Sequence, residues 1–198
     1  MIKSCFLDKQ KGAMFGLDAR IALVIITGLS VVAGASMIQI LSDRRMDTLL
    51  FEQDKYGSAV AAIQEDLKTN IHDSLTTSND ENAYLALVDS SLLTTAAQNN
   101  WLGPYLKDYY SNNHKQYGVM TLARENTDIS GSCSAAEITG RECFYYLTIS
   151  QVPQDVIDKL NTALDGSEGS PGTQGNVQWD SISGSTARVY MRLGLVAP

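Results

Sequence analysis

The sequence predicts an α+β protein: a long N-terminal helix, apolar and then amphipathic, packed on a C-terminal antiparallel-sheet head. Three observations predict it. Residues 21–41, IALVIITGLSVVAGASMIQIL, carry no charge. From Ser42 to about Leu75 the chain has no proline, one glycine (Gly57) and apolar residues at helical spacing. From Tyr117 onward, short aromatic and β-branched runs alternate with Gly, Ser, Pro and Asn, the pattern of strands and turns.

The apolar run comes first. As a helix its 21 residues span about 31 Å, matching a bilayer core of about 30 Å. Ahead of it stand Lys3, Lys9, Lys11 and Arg20 against Asp8 and Asp18; after it, residues 42–198 hold 11 basic and 20 acidic residues. The overall net of −7 thus runs as a basic tip, a neutral rod and an acidic body. The positive-inside rule keeps the tip cytoplasmic and the body outside, with Arg44 and Arg45 counting against that orientation. An acidic body is unsuited to nonspecific nucleic-acid binding, and no specific nucleic-acid site is evident. Two histidines and three cysteines exclude a multi-cysteine zinc framework.

Three readings compete for the rod. A secretory signal would be cut at Ala33-Gly34-Ala35 after the apolar region Ile21–Val32. A plain signal anchor would stay intact. A class III signal would be cut on the cytoplasmic side, keeping the helix. The continuation favours the third. Met46, Leu49, Leu50, Val60, Ile63 and Leu67 form one stripe at spacings of three and four, with the acidic residues mostly off it. One helix of 50 residues or more accounts for rod and stripe together; a cut at Ala35 would discard the rod.

A short basic leader, a glycine, an apolar helix and its amphipathic continuation resemble a type IV pilin or type II secretion pseudopilin. The resemblance implies cleavage after a glycine by a prepilin peptidase, N-methylation, and packing of apolar helices into a filament core. Gly12, after Lys9-Gln10-Lys11, and Gly16, before Leu17, are the two candidate cut sites, and both stay open. The implied domains are a leader 1–16, a helix 17–75 with its transmembrane half 21–41, and a head 76–198. The family's usual Glu at the fifth mature position is missing: Leu17 or Ile21 stands there. Asp18 is its candidate replacement, pairing with a neighbouring subunit, since a carboxylate in an apolar core needs a partner. Arg20 is the alternative, intrachain partner, and both charges are equally suited to a headgroup boundary.

The remaining elements follow in order. Asn82–Gln98 predicts a second helix. Trp101-Leu102-Gly103-Pro104-Tyr105-Leu106 resembles the loop that enters the head of major pseudopilins, with Gly-Pro setting a turn and the aromatic rings folding back. Strands are predicted at Tyr117–Ala123, Cys143–Ser150, Asn176–Asp180 and Ala187–Leu195. Pro153 opens a short helix to about Leu164, and Leu147–Leu164 resembles the sheet-to-helix segment of type IVb-like pilins. Residues 165–175 are a turn-rich connector.

Cys133 and Cys143 flank a polar loop and predict a disulfide in an extracytoplasmic domain, worth about 2–3 kcal/mol on the chain-entropy model; the family's C-terminal disulfide agrees. Cys5 lies in the leader. His72 and His114 sit among polar residues and are expected to be exposed. No nucleophile, phosphate-binding or dinucleotide motif is present, so no catalytic residue and no cofactor is assigned. Because major pseudopilins bind calcium near their C-terminal loop, Asp165, Glu168 and Asp180 are candidate oxygen ligands as against a solvated turn.

The expectation is a non-enzymatic subunit of a type IV pilus-like filament, assembling with its own copies and other pilins. It would be single-pass in the inner membrane with a periplasmic head, and at the cell surface after assembly. The alternatives are a minor pseudopilin of a type II secretion system, or a membrane-anchored or secreted periplasmic binding protein or enzyme.

Overall fold

A computed structural model describes residues 11–107, 111–127, 129, 131, 133, 138, 142–166, 175–182 and 184–197, apart from the side chains of 11–17, 35, 181 and 182. The fold is α+β, with a long N-terminal helix, α1 (Lys11–Leu67), and a four-stranded antiparallel sheet. The chain forms two compact units, Met1–Asp43 and Arg44–Pro198, so the second takes in the C-terminal part of α1.

Within the second unit, α1 buries Leu49, Tyr56, Ala59, Val60, Ile63 and Leu67, with Met46 and Leu50 partly buried beside them. The helix stops at Leu67 rather than near Leu75. Lys68 turns left-handed (φ 57°), and local side-chain bonds then compete with helix. Asn70 Oδ1 accepts the Asp73 N–H at 2.9 Å, and Ser74 Oγ donates to the Asn70 carbonyl at 3.1 Å.

The helix expected over Asn82–Gln98 is instead three short turns: α2 (Asp80–Leu85), a 3-10 turn (Ser90–Leu92) and α3 (Thr95–Gln98). Each opens on its own cap. Asn79 accepts from Asn82 N–H at 2.7 Å, Asp89 from Ser91 N–H at 2.8 Å and Thr94 from Ala97 N–H at 3.4 Å. Three cap-forming side chains in one stretch restart the chain repeatedly rather than let one helix run.

The strands are β1 (Met120–Asn126), β2 (Cys143–Pro153), β3 (Val177–Ile182) and β4 (Thr186–Leu195), in spatial order β1-β2-β4-β3. β1 starts three residues later than expected, because 114–117 are held in a turn by His114. β2 runs on to Pro153 through a bulge between Ile149 and Val152, where Gln151 adopts φ 62°. Then α4 (Gln154–Asp165) follows, entered through Pro153 as its cap residue and ended by Gly166 at φ 70°, a left-handed C-terminal stop.

The period of two sorts the sheet faces. Met120, Leu122, Leu147, Ile149, Val189 and Met191 are paired across β1, β2 and β4 and all lie in the core. α1 is stitched to the end of β4: Gln53 Nε2 donates to the Arg192 carbonyl at 2.8 Å, Gln64 Nε2 donates to the Leu195 carbonyl at 3.3 Å, and Gln64 Oε1 accepts the Ala197 N–H at 2.6 Å. Cys133 and Cys143 are disulfide-bonded, their Cα atoms 5.8 Å apart, as the sequence leads one to expect.

Ile63 is fully buried while Ile26 is 64% exposed. In the full chain in detergent, Ile63→Ala is expected to lower unfolding stability by about 2–5 kcal/mol. Ile26→Ala should leave the head's urea midpoint unchanged. Equal midpoint shifts would show that α1 is not the core helix of the head.

Candidate membrane segment and head sites

The uncharged run 21–41 is exposed along its length. Its large apolar side chains range from 45% (Leu41) to 70% (Val24) exposed. This is a helix long and apolar enough to cross a membrane. Its polar side chains are adapted to that: Thr27, Ser30 and Ser36 donate to the carbonyls of Leu23, Ile26 and Val32 at 2.7, 2.7 and 3.0 Å. A hydroxyl satisfied within its own helix brings no unpaired donor into hydrocarbon. A Cβ added at Gly28 or Gly34 would meet nothing within 4 Å, so packing within the chain does not require these glycines.

At the start of the run, Gly12, Gly16 and Leu17 lie in the first turns of α1, and residues 1–10, with Cys5, lie outside the described residues. Asp18 and Arg20 are exposed, and no ion pair joins them.

Both histidines are buried, at 5% (His72) and 8% (His114) exposed, not solvated as their polar neighbours suggest. The reason is that each closes a turn against the body. His114 Nδ1 accepts the N–H groups of Gln116 and Tyr117 at 3.0 and 3.2 Å. That leaves Nε2 as the protonated nitrogen, donating to Glu52 Oε2 at 3.1 Å. The ring also stacks on Tyr117 with centroids 4.8 Å apart. Glu52, like Ser42, is a buried polar residue of α1, and no feature of the α1 stripe announces its partner 62 residues away.

His72 Nε2 is 3.2 Å from Asp80 Oδ1, and its ring stacks on Tyr145. Among the described residues its buried Nδ1 has no hydrogen-bond partner. The Tyr145 hydroxyl accepts the Ile71 N–H at 2.8 Å, and burial pushes its pKa well up. Nearby, Arg124 Nη1 donates to Asn70 Oδ1 and Asp73 Oδ1 at 3.0 and 2.9 Å. Partial burial pushes the Asp73 carboxyl up, but hydrogen bonds from Asn70 and Arg124 outweigh it and hold the group below the usual carboxylate range. Among the described residues neither histidine bonds a hydroxyl or thiol.

The Trp101–Leu106 block folds back as expected. Trp101 Nε1 donates to the Ala86 carbonyl at 3.1 Å, the Trp101 and Tyr105 rings meet edge-on at 5.7 Å, and the Tyr105 hydroxyl donates to Asp66. Burial and that carboxylate push the Tyr105 pKa up to about 12. A Cβ on Gly103 would fall 2.5–2.9 Å from the two rings, so glycine is required there. Beside Tyr105, an open groove of about 530 Å³ runs along α1 past Phe51, Lys55, Ser58 and Ala62.

Asp165, a candidate calcium ligand, instead accepts the N–H groups of Asn176 and Val177 at 2.8–3.0 Å, closing the connector. Asp180 lies 4.0 Å from Arg188 Nη1 and accepts from the Tyr190 hydroxyl at 3.4 Å. Glu168 lies outside the described residues. Among the described residues no three His, Cys, Asp or Glu side chains come together in a metal-binding group.

No protein-family model, curated protein or solved structure matches the chain.

One carboxyl is held far from its solution behaviour. Glu125 on β1 is half-buried, its Oε2 has no hydrogen-bond partner among the described residues, and burial followed by repulsion from Asp80 pushes its pKa up to about 7. The unfolded chain ionises Glu125 first, so this group's contribution to stability falls as pH rises from about 4.5 to about 7 and then levels. Glu125→Gln is therefore expected to raise the urea midpoint at about pH 8 and leave it unchanged at about pH 4. A pH-independent difference would show that the charge is not the cause.

Proposed function

We propose that the chain is a structural subunit of a type IV pilus-like filament, held in the inner membrane by residues 21–41 before assembly. A prepilin peptidase would remove the leader at Gly12 or Gly16, and the subunit would polymerise through its N-terminal helix. One observation carries the reading: a single helix, Lys11–Leu67, is uncharged and exposed over 21–41 and forms core over 49–67. A cleaved secretory signal has no need to continue into the hydrophobic core of the mature domain. A simple membrane anchor needs no glycine cut ahead of its span.

The work of such a subunit is packing, not chemistry. Apolar helices meet neighbours instead of lipid, and small residues such as Gly28 and Gly34 allow backbones to approach closely. Asp18 is the one carboxylate near the start of the span, and in an apolar filament core it requires a cationic partner. The disulfide-closed, acidic head would face outward.

The N-terminus of the mature protein tests the reading. Intact-mass measurement is expected to give a start at Ala13 or Leu17, carrying an N-methyl group. A start at Ser36 would mean a secreted protein, and an intact Met1 a plain anchor; either would overturn the proposal. In the same cells, Asp18→Ala should abolish filaments in sheared surface material while membrane insertion persists. Normal filaments from that variant would remove Asp18 from assembly.

A further inference from the structure

We propose that His114 is an acid-sensitive latch of the head: its neutral ring holds the 114–118 turn against α1, and taking up a proton at Nδ1 releases that turn. The latch lies wholly in the second unit and does not depend on the filament reading.

The neutral ring follows from the hydrogen bonds. A nitrogen that accepts two N–H groups needs its lone pair, so Nδ1 carries no proton while the Gln116 and Tyr117 N–H groups bind it. Nε2 then carries the ring's one N–H and gives it to Glu52 Oε2 on α1. In an imidazolium both nitrogens are donors. A proton on Nδ1 would point at two N–H groups, and both would lose their acceptor. The ring can charge only if the turn gives up those bonds.

The rest of the turn is fastened by bonds that do not titrate. The His114 N–H donates to the Gly118 carbonyl at 3.0 Å, the Gly118 N–H to the Ser150 carbonyl at 2.9 Å and the Val119 N–H to Ser150 Oγ at 2.8 Å. These tie the end of the turn to β2. Among the described residues the turn's hydrogen bond to α1 is the one from His114 to Glu52. Release therefore frees 114–117 from α1 while β1 and β2 keep their ladder.

A second observation favours opening. Tyr117 stacks on the ring, and its buried hydroxyl has no hydrogen-bond partner among the described residues. Release gives that hydroxyl water. The charged and titratable groups around the turn are Glu52 and Arg45 of α1, Asp155 of α4, and Tyr117 and Lys115 of the turn itself. Arg45 opposes a cation on the ring, and Glu52 and Asp155 favour one. Attraction to a carboxylate does not replace the acceptor that the two N–H groups lose, so the hydrogen bonds decide the direction: acid opens the latch.

Hydrogen exchange read by mass spectrometry, with intrinsic rates divided out, tests this on the full chain in detergent. The range is about pH 8 to about pH 5, where a solvated histidine takes up its proton. Toward the acid end, protection of 111–118 should fall about tenfold per pH unit, the linkage of one proton, while β2 and β4 stay protected. His114→Asn keeps an acceptor near the Nδ1 position but cannot take a proton, so its protection of 111–118 should be level with pH. Glu52→Gln should leave the pH step in place. In the unsubstituted chain, nitrogen NMR of labelled histidine should show His114 as the Nε2–H tautomer at about pH 8, with imidazolium appearing in step with the lost protection. Imidazolium forming while 111–118 stays protected would overturn the latch. So would level protection in the unsubstituted chain, a step that survives His114→Asn or vanishes in Glu52→Gln, or a loss shared equally by the sheet.

Discussion

The unbroken backbone ladder of α1 is the constraint on which everything else hangs. In hydrocarbon no water is present to receive an N–H or a carbonyl, so the run 21–41 is viable there only as helix. The same rule reaches its side chains: Thr27, Ser30 and Ser36 spend their hydroxyls on carbonyls four residues back. Past Ser42 the requirement changes. Water or protein can now satisfy the backbone, and one face must be dry while the other is wet. The sequence changes with it, from apolar all round to a stripe at Leu49, Tyr56, Val60, Ile63 and Leu67.

That stripe organises the second unit. The polar residues at its border reach out to later segments: Glu52 to His114, Gln53 and Gln64 to the end of β4, Asp66 to Tyr105. Such bonds are each worth about 1 kcal/mol net, far less than the burial of the stripe, so they set register rather than supply stability. The buried Glu52–His114 contact is the most demanding of them. Removing either partner would strand the other in a dry site, and the two N–H groups bonded to His114 Nδ1 would lose their acceptor as well.

Much of the fold was legible because periodicity reports burial directly. The stripe follows from spacing, the rod from an uncharged run, the four strands from aromatic and β-branched runs between turn residues, and the last helix from Pro153. What spacing misjudged were the boundaries, which belong to local hydrogen bonds. Asn70 ends α1's neighbourhood early, and Asn79, Asp89 and Thr94 cut one amphipathic stretch into three turns. These are cap-forming residue types, so the signal existed but was outweighed by the apolar pattern of 83–93. The buried histidines had no comparable signal, because their partners, Glu52 and Asp80, are set by tertiary contact. The same holds for Glu125: it lies past the end of the strand expected over Tyr117–Ala123, and only the fold brings Asp80 near it. Of the assembly residues, Asp18 and Arg20 stand out by charge alone. In the proposed filament a partner of Asp18 would come from a neighbouring subunit, which no intrachain periodicity can reveal.

In the proposed filament the helix would be shared between lipid and neighbouring subunits, and the energetics of that exchange give the end charges their weight. Twelve large apolar side chains of 21–41 are exposed, and moving that many from water to an apolar medium is worth on the order of 20–40 kcal/mol. A lone subunit therefore cannot leave the bilayer for water at any useful rate. Exchange of lipid for other copies of the same helix is different, since lipid tails are as apolar as leucine and the hydrophobic term nearly cancels. The balance between membrane and filament then falls to the small terms: close packing at Gly28 and Gly34, and the charges that close the run at each end. In the proposed filament, Asp18 and Arg20 would exchange headgroups for protein partners. A few such contacts, each about 1 kcal/mol at an interface, are enough to tip an exchange whose large terms cancel. On the proposed reading, the end charges rather than the apolar run would decide assembly.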